Sequence, residues 1–216
     1  MSKHIPLAAG AALLLAFAGP ALAQDADPGM TAGTLLVRGR AIGVLPETTS
    51  SSISAIGGHV DAADTFEPEL DASYFFTDNI AVEAIAAVTR HRITASGTAA
   101  GNVDVGKVTL LPPTVTVQWH FLPHGTIDPY VGAGVNYTWF FDTSVPHTVV
   151  KQVSYDDGFG AALQAGVDYH LTGNWYANLD VKQVFLNTTA NINGGAVRAK
   201  VDLDPTMVGA GIGYRF

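Results

Sequence analysis

Residues 208–216, VGAGIGYRF, carry the alternation that decides the fold. Side chains alternate between the two faces of a β-strand, so this stretch predicts a strand with one apolar face and one small or polar face. The apolar face carries Val208, Ala210, Ile212, Tyr214 and Phe216, and the opposite face carries Gly209, Gly211, Gly213 and Arg215. The chain as given therefore finishes on a strand whose last residue is apolar.

The same period of two recurs along the chain and predicts eight strands in total. They cover residues 34–45, 65–76, 79–91, 107–122, 127–141, 155–170, 174–187 and 203–216. Most are longer than the about five to six residues usual in globular proteins. They fit the roughly 9–11 residues that cross a bilayer at a tilt.

Connection lengths between the predicted strands alternate. Three connections are tight: Thr77-Asp78, Pro123-His124-Gly125-Thr126 and Leu171-Thr172-Gly173. The others are long and rich in Ser, Thr, Gly and Asp, over residues 46–64, 91–106, 142–154 and 188–202. Short periplasmic turns and long outer loops are typical of outer-membrane barrels. We therefore predict an all-β fold, an eight-stranded antiparallel transmembrane β-barrel of the outer-membrane type with both termini on the periplasmic side.

Composition supports a barrel in lipid. Hydrophobic residues make up 48% of the chain and charged residues only 14%, which is high hydrophobic content for a soluble domain. Charges, Gly or Pro interrupt every later apolar run, so no spanning helix is predicted. A barrel that turns apolar side chains outward reconciles the two observations. The net charge of −8 argues against a nucleic-acid partner, and the absence of Cys means no disulfide.

The first 23 residues have the layout of a secretory signal peptide. Lys3 and His4 precede an apolar run over residues 7–17, and Gly19-Pro20 leads into Ala21-Leu22-Ala23. That run is shorter than the about 20 residues of a spanning helix, and an uncleaved interfacial anchor is the alternative. We predict a signal peptide at 1–23, cleavage after Ala23, and a single barrel domain at 24–216. The expected location is the outer membrane of a Gram-negative bacterium, and Phe216 resembles the C-terminal assembly signal of such barrels.

The polar face of the predicted strands contains charges of both signs. They are Arg38, Arg40, Lys182 and Arg215 with Glu67, Glu69, Asp71, Glu83, Asp168 and Asp180. Charges in a narrow lumen must pair or stay hydrated, and a mixed-sign set can pair. A soluble lipocalin-like barrel would show the same period with the faces exchanged. The signal peptide, the loop alternation and the terminal Phe favour the membrane barrel.

Aromatic residues cluster near the ends of the predicted strands, where interfacial girdles would lie. They are Tyr74, Phe76, Trp119, Phe121, Tyr130, Trp139, Phe140, Phe141, Tyr169, Trp175, Tyr214 and Phe216.

Six stretches resemble the OmpW family of small outer-membrane proteins, which includes alkane-uptake relatives. They are TDNIAVE at 77–83, LPPT at 111–114, PYVGAGVNYT at 129–138, the segment 160–169, NWYAN at 174–178, and LDP at 203–205 leading to GYRF at 213–216. The resemblance implies an eight-stranded barrel that takes up small hydrophobic compounds. The implied route is a narrow apolar tunnel that opens at the outer end and sideways into the membrane.

Inward positions of the strands provide the candidate tunnel lining. The candidates are Ile85, Glu83, Gln118, His120, Gln164, Asp168, Asn178 and Lys182. At Lys182 the sequence departs from the bulky apolar residue that the resemblance implies. A lysine there would narrow or polarise the route and could pair with Asp180, Asp168 or Glu83.

Eight strands enclose a lumen just wide enough for side chains or one slim ligand, so a general porin is not expected. Prolines near or within strands weaken ladder pairing and mark either a lateral exit or ordinary strand ends and bulges. These prolines are Pro46, Pro68, Pro112, Pro113 and Pro146.

Uptake of hydrophobic compounds is the leading functional hypothesis. The first alternative is a surface platform whose long loops contact cells, phage or toxins. The second is a lipid-modifying enzyme, which would need a nucleophile, a base and an orienting acid within reach. Scattered histidines and the absence of Gly-x-Ser-x-Gly and His-Glu-x-x-His argue against an enzyme; the histidines are His59, His91, His120, His124, His147 and His170.

His120 and His170 lie on the inward phase, where we expect hydrogen-bonded lumen residues. No metal-ligand spacing occurs, so neither a metal nor a cofactor is predicted. The expected partners are outer-membrane lipid, small hydrophobic solutes and the outer-membrane assembly machinery, and we expect a monomer.

Overall fold

A computed structural model describes residues 29–45, 49–53, 59–62, 64–99, 101–144, 152–195, 197–202 and 204–216, and these form an all-β fold. The strands are β1 (Leu35–Leu45), β2 (Thr49–Ile53), β3 (His59–Ala62), β4 (Thr65–Phe75), β5 (Ile80–Ala87), β6 (Thr89–Thr98), β7 (Gly101–Leu111), β8 (Thr114–His120), β9 (Ile127–Ser144), β10 (Val153–Tyr155), β11 (Gly158–Thr172), β12 (Trp175–Phe185), β13 (Asn187–Ile192), β14 (Val197–Asp202) and β15 (Thr206–Arg215). The predicted signal peptide and its cleavage site lie outside the described residues. Within the described ranges, no helix has the length and apolar character needed to span a bilayer.

Eight strands close into an antiparallel barrel in the order β1-β4-β5-β8-β9-β11-β12-β15. The first and last strands complete the ring, with Val37 opposite Tyr214 and Val44 opposite Met207. The backbone N–H of Phe216 donates to the carbonyl oxygen of Leu35 at 2.8 Å, so pairing continues to the last residue. The prediction of an eight-stranded barrel closed by its terminal strand is confirmed.

Three short turns and both ends of the described chain lie at one end of the barrel, the turn end. Residues 76–79, 121–126 and 173–174 join β4 to β5, β8 to β9 and β11 to β12. The segment before β1 folds under this end, where the backbone N–H of Met30 donates to the carbonyl of Pro123 at 2.7 Å. The Met30 side chain is fully buried and closes the turn end together with Leu36, Phe75, Ala81 and Tyr176.

The opposite end, the hairpin end, differs from the prediction of long loops. The segments 46–64, 91–106, 142–154 and 188–202 contain β2, β3, β6, β7, β10, β13 and β14 in whole or in part. These strands form two sheets. One is β3-β6-β7 continuing from the outer part of β9, and the other is β10-β13-β14-β2. The loop prediction was wrong because a Ser-, Thr- and Gly-rich composition concealed strands that keep the period of two.

The two sheets of the hairpin end pack around a buried apolar cluster. Its members are Ile93, Ala95, Val105, Val108, Val153, Ala190 and Ile192, with Val103, Phe140 and Tyr155 against them. In the barrel below, the polarity is the reverse: Leu179 and Val181 on β12 face outward, 60% and 48% exposed, whereas Asp180 and Lys182 are buried. An apolar outer face over a polar interior suits lipid and excludes the soluble lipocalin-like alternative.

Most of the predicted girdle aromatics lie on the outward face. Tyr74, Phe76, Trp119, Phe121, Trp139, Tyr169, Trp175 and Phe216 are exposed and Tyr214 is half-buried. The rings of Trp175 and Tyr214 meet edge to face at 5.0 Å. The predictions for Tyr130 and Phe140 were wrong, because Tyr130 is buried inside the lumen and Phe140 packs among inward apolar side chains. The girdle role of the others and the assembly role of Phe216 stay predictions.

Candidate functional site in the barrel interior

Two arginines on β1 organise the middle of the lumen. Arg38 and Arg40 are two positions apart, so both point inward, and both side chains are fully buried. Arg38 places Nε 2.8 Å from Asp71 and Nη2 2.8 Å from Glu83. Its Nη1 reaches Asp168 on β11 at 2.9 Å. Because β11 is three strands away from β1 around the ring, this guanidinium spans the lumen.

Arg40 binds an overlapping set of carboxylates. Its Nε lies 2.9 Å from Glu69, and its Nη2 lies 2.8 Å from Asp71 and 2.9 Å from Glu83. Its Nη1 is 3.5 Å from Asp180 on β12. Removing charges from water is costly unless each finds partners, and here every guanidinium faces several carboxylates.

Lys182 is the third cation of the interior. Its Nζ lies 3.3 Å from Glu69 and 3.9 Å from Asp180. Of the three partners that the sequence suggested, Asp180 is in place, whereas Asp168 and Glu83 bind Arg38. Glu69 was missed as a partner, because it comes from β4, which is not a neighbour of β12 in the sheet.

Amides and hydroxyls complete the network. Gln164 Nε2 donates to Glu83 and to Asp180, both at 2.8 Å. The Tyr130 hydroxyl also donates to Asp180 at 2.8 Å, and Asn178 Nδ2 donates to Asp168 at 2.8 Å. We call this set the charge layer: Arg38, Arg40, Glu69, Asp71, Ser73, Glu83, Thr116, Gln118, Tyr130, Gln164, Asp168, Asn178, Asp180 and Lys182.

Glycines on the terminal strand leave room for the two arginines. A Cβ added at Gly213 would lie 2.7 Å from Cγ of Arg38, and one at Gly211 would lie 2.7 Å from Cγ of Arg40. Such contacts are too close for real Cβ atoms, so the inward glycines of residues 208–216 have a packing role. The small face of the closing strand and the large cations of the first strand are complementary.

His120 lies between the charge layer and the turn end. Its Nδ1 is 2.7 Å from Asp128, and its ring packs between Phe75 and Tyr130 at centroid distances of 4.7 and 5.0 Å. His170 Nε2 is 2.8 Å from the carbonyl of Gly173. Both histidines are hydrogen-bonded, as predicted. Across the described ranges, no group of three or more His, Asp or Glu is arranged to hold a metal ion.

Above the charge layer the interior becomes apolar. One buried cluster contains Ile42, Val44 and Ala87 with Met207 against it, and a second contains Ala162, Val184 and Leu186 with Met207 and Phe140 against it. Phe140 also packs against the hairpin-end cluster and stacks on Tyr155 at 5.3 Å. Burial raises the pKa of the Tyr155 hydroxyl above its ordinary value. These two clusters, with Met207 and Phe140, form the upper apolar region.

All eight predicted tunnel residues are buried and inward. Glu83, Gln118, Gln164, Asp168, Asn178 and Lys182 belong to the charge layer, His120 contacts it through Gln118, and Ile85 lies between Glu83 and Ala87 on β5. The set omitted Arg38, Arg40, Glu69, Asp71, Asp180 and Tyr130, besides Ser73 and Thr116 of the same layer. Alternation already placed the first five of these inward, and the inward phase shared by Asp128, Tyr130 and Gly132 was the signal for Tyr130. That these residues line a ligand route stays a prediction.

Comparisons with known proteins agree with this architecture. Residues 31–216 match the OmpW family. The chain is 43% identical to the uncharacterized outer-membrane protein y4mB of Sinorhizobium fredii over 183 residues, which is 83% of this chain and 79% of that protein. It is 36% identical to outer membrane protein W of Escherichia coli over 223 residues, 99% of this chain and 100% of that protein.

A third relative and a solved structure extend the comparison. The dibenzothiophene metabolism operon protein PahQ of Pseudomonas aeruginosa is 30% identical over 163 residues, 74% of this chain and 76% of that protein. The crystal structure of the outer membrane protein OprG from Pseudomonas aeruginosa superposes with a TM-score of 0.80 at 27% identity, covering 88% of this chain and 98% of that one.

Proposed function

The chain belongs to the OmpW family of bacterial outer-membrane proteins, and from that premise we propose that its barrel takes up small hydrophobic compounds. The observation that carries the proposal is the change in the lumen from the upper apolar region to the charge layer. An apolar solute that leaves water gains free energy among apolar side chains. The name of the relative PahQ, which refers to dibenzothiophene metabolism, supports this substrate class.

The charge layer blocks the path of an apolar solute along the barrel axis. Passing it would mean separating Arg38 from Asp168 and Arg40 from Asp180, and an unpaired buried charge is strongly unfavourable. A general aqueous pore does not fit an eight-stranded lumen filled in this way. The route we propose therefore enters at the hairpin end and turns sideways above the charge layer.

The seam between β1 and β4 is the exit that we favour. The last rung between these strands pairs Val44 with Thr65, and in the described part of the chain no ladder joins β2 to β3 beyond it. The Thr65 hydroxyl is buried and has no hydrogen-bond partner among the described residues. Pro68 faces outward beside this seam, opposite Ala41, and has no N–H to donate.

The other prolines are weaker candidates for an exit. Pro112 and Pro113 separate β7 from β8, but Asn136 Nδ2 donates to both of their carbonyls, at 3.2 and 3.4 Å. The predictions for Pro46 and Pro146 lie outside the described residues.

Uptake can be tested in vesicles of phospholipid and lipopolysaccharide that contain the purified barrel. Entry of dibenzothiophene is followed by its fluorescence and compared with empty vesicles. Ala87→Trp fills the upper apolar region, so we expect entry to fall to the rate of empty vesicles. Ala86→Trp is the matched control, because the neighbouring residue faces outward and is exposed.

Any of three results would contradict the uptake proposal. The first is dibenzothiophene entry that is no faster with the wild-type barrel than in empty vesicles. The second is a folded Ala87→Trp variant that keeps the wild-type rate of entry. The third is a loss of entry in Ala86→Trp but not in Ala87→Trp. Folding is checked by circular dichroism and by the electrophoretic shift of folded barrels.

We do not propose an enzyme or a surface platform. Acyl transfer needs a nucleophile within hydrogen-bond reach of a base, whereas His120 contacts Asp128 and Gln118. The segments that a loop platform would use contain strands that pack on an apolar cluster. His120→Ala should leave membrane lipid composition unchanged, and lipid turnover that disappears in this variant would reverse the conclusion.

A further inference from the structure

The outward face of β5 and β6 changes from apolar to cationic along one line. Only Val88 separates the two strands, and even-numbered positions point outward from Ala84 to Arg92. Ala84, Ala86 and Val88 are exposed on the lipid side, and Arg90 and Arg92 are exposed directly above them. The change from hydrocarbon to headgroup surroundings therefore falls between residues 88 and 90.

A third cation joins the two arginines. Lys107 on β7 is directly opposite Arg92, and facing side chains on antiparallel strands start about 5 Å apart. Asp104 pairs with Arg92 at 3.3 Å, but both side chains remain about half-exposed, at 48% and 56%. Like charges on facing positions destabilise a sheet, so this arrangement favours a bound anion. On β13 of the opposite sheet the comparable outward residues are Asn187, Thr189 and Asn191, and the exposed Arg198 of β14 is directly opposite Asn191.

An apolar groove of about 210 Å³ lies on the same side below the cations. It is lined by Val37, Leu70, Asp71, Ala72, Ala84, Ile85 and Ala86. Ala84 faces Ala72 and Ala86 faces Leu70 across the β4–β5 pair, and these four side chains are on the outward face. Arg90 is four residues above Ala86, which is about 13 Å at the usual rise of a strand.

We propose that this face binds one phosphorylated lipid of the outer leaflet. Its phosphate groups lie against Arg90, Arg92 and Lys107, and one acyl chain lies in the groove over Ala84 and Ala86. Guanidinium groups match phosphate oxygens through paired hydrogen bonds, and burial of methylene groups adds apolar free energy. Only a lipid satisfies both halves of the site together. The site lies outside the lumen, on the outer face below the proposed exit between Val44 and Thr65, and lipid binding there does not depend on uptake.

The test uses the whole barrel in detergent. The protein is first delipidated and then incubated with bis-phosphorylated lipid A, and native mass spectrometry counts the lipids that stay bound. We expect the wild type to retain one lipid. In the triple variant R90Q/R92Q/K107Q the affinity for the lipid should fall at least about tenfold, because charge-assisted hydrogen bonds are lost. Asp104→Asn should strengthen retention, since it removes the competing carboxylate beside Arg92.

Two matched pairs separate the site from general effects. Ala86→Trp fills the groove and should reduce retention, whereas Ala87→Trp faces the lumen and should not. Arg198→Gln removes an exposed cation from β14 in the opposite sheet and should leave retention unchanged. Uptake should instead be lost in Ala87→Trp and kept in Ala86→Trp. The two measurements can therefore disprove the lipid site and the uptake route independently.

Two competitors distinguish the source of the phosphate. Lipid A without phosphates should not be retained, and millimolar inorganic phosphate should not displace the bound lipid. Equal retention of the dephosphorylated lipid would overturn the proposal. So would displacement by inorganic phosphate, or wild-type retention by the folded triple variant.

Discussion

The barrel and the hairpin end have opposite polarity on their outward and inward faces, and the change occurs along β12 and β13. On β12 the outward side chains Leu179, Val181 and Phe185 are apolar, and the half-buried Gln183 between them donates to the carbonyl of Asp204. On β13 the outward side chains are Asn187, Thr189 and Asn191. Inward side chains change in the opposite sense, from Asn178, Asp180 and Lys182 to Val184, Leu186, Ala190 and Ile192, with Thr188 the polar residue among them. Even-numbered residues point inward throughout.

The reversal shows that the surroundings of the strand change while its phase does not. Lipid faces the outer surface of the barrel, so the apolar side chains lie outside and the interior is held by ion pairs. Water faces the outer surface of the hairpin end, so the hydrophobic effect holds its interior. The crossover near residues 185–187 marks the outer edge of the membrane band.

The largest effect is expected from breaking the charge layer. Arg38→Met keeps much of the side-chain length but leaves Asp71, Glu83 and Asp168 without their shared partner. Removing one member of a buried ion network costs about 3–5 kcal/mol of unfolding free energy. Urea unfolding in lipid vesicles, followed by tryptophan fluorescence, measures the loss.

Arg92→Gln is the control for this prediction. It removes an arginine whose ion pair with Asp104 is about half-exposed, and such pairs contribute less than about 1 kcal/mol. Equal urea midpoints for Arg38→Met and the wild type would mean that the charge layer does not stabilise the barrel.

The same substitution on either side of the crossover should have different costs. Leu179→Arg places a charge on the lipid face at mid-barrel, at a cost of about 2–4 kcal/mol. Thr189→Arg lies on the same outward phase of the hairpin end, where water surrounds it, and should be nearly neutral. The same urea unfolding measures both variants. Equal destabilisation by the two would contradict the assignment of the crossover.

Alternation and connection lengths were sufficient to predict the barrel. The glycines of residues 208–216 were placed inward, and the structure explains them by the arginine side chains that occupy the space. The pairings β4–β5, β8–β9 and β11–β12 followed from the short turns, because antiparallel neighbours joined by a few residues have little freedom to pair elsewhere.

The contacts inside the lumen could not be predicted in the same way. Alternation places Arg38 and Asp168 on inward faces, but their 2.9 Å contact depends on the diameter of a closed barrel. The hairpin-end strands were missed for another reason. Ile93, Ala95, Val103 and Val105 belong to that apolar cluster, but their polar neighbours in a Ser-, Thr- and Gly-rich segment suggested a loop.

The smallest effect is expected from the core of the hairpin end. Ile93→Val removes one methylene from a side chain that is 5% exposed, at a cost of about 1 kcal/mol. Because the hairpin end contacts water and lacks the ion network below it, the loss should appear as local opening. Hydrogen exchange should therefore rise in β6, β7 and β13 and stay unchanged in β1 and β15. Ile212→Val, on the lipid face of β15, is the matched control and should leave exchange in β6 unchanged. Faster exchange throughout the barrel in Ile93→Val would mean that the two regions unfold as one unit. The barrel and the hairpin end would then differ in the polarity of their faces but not in their local stability.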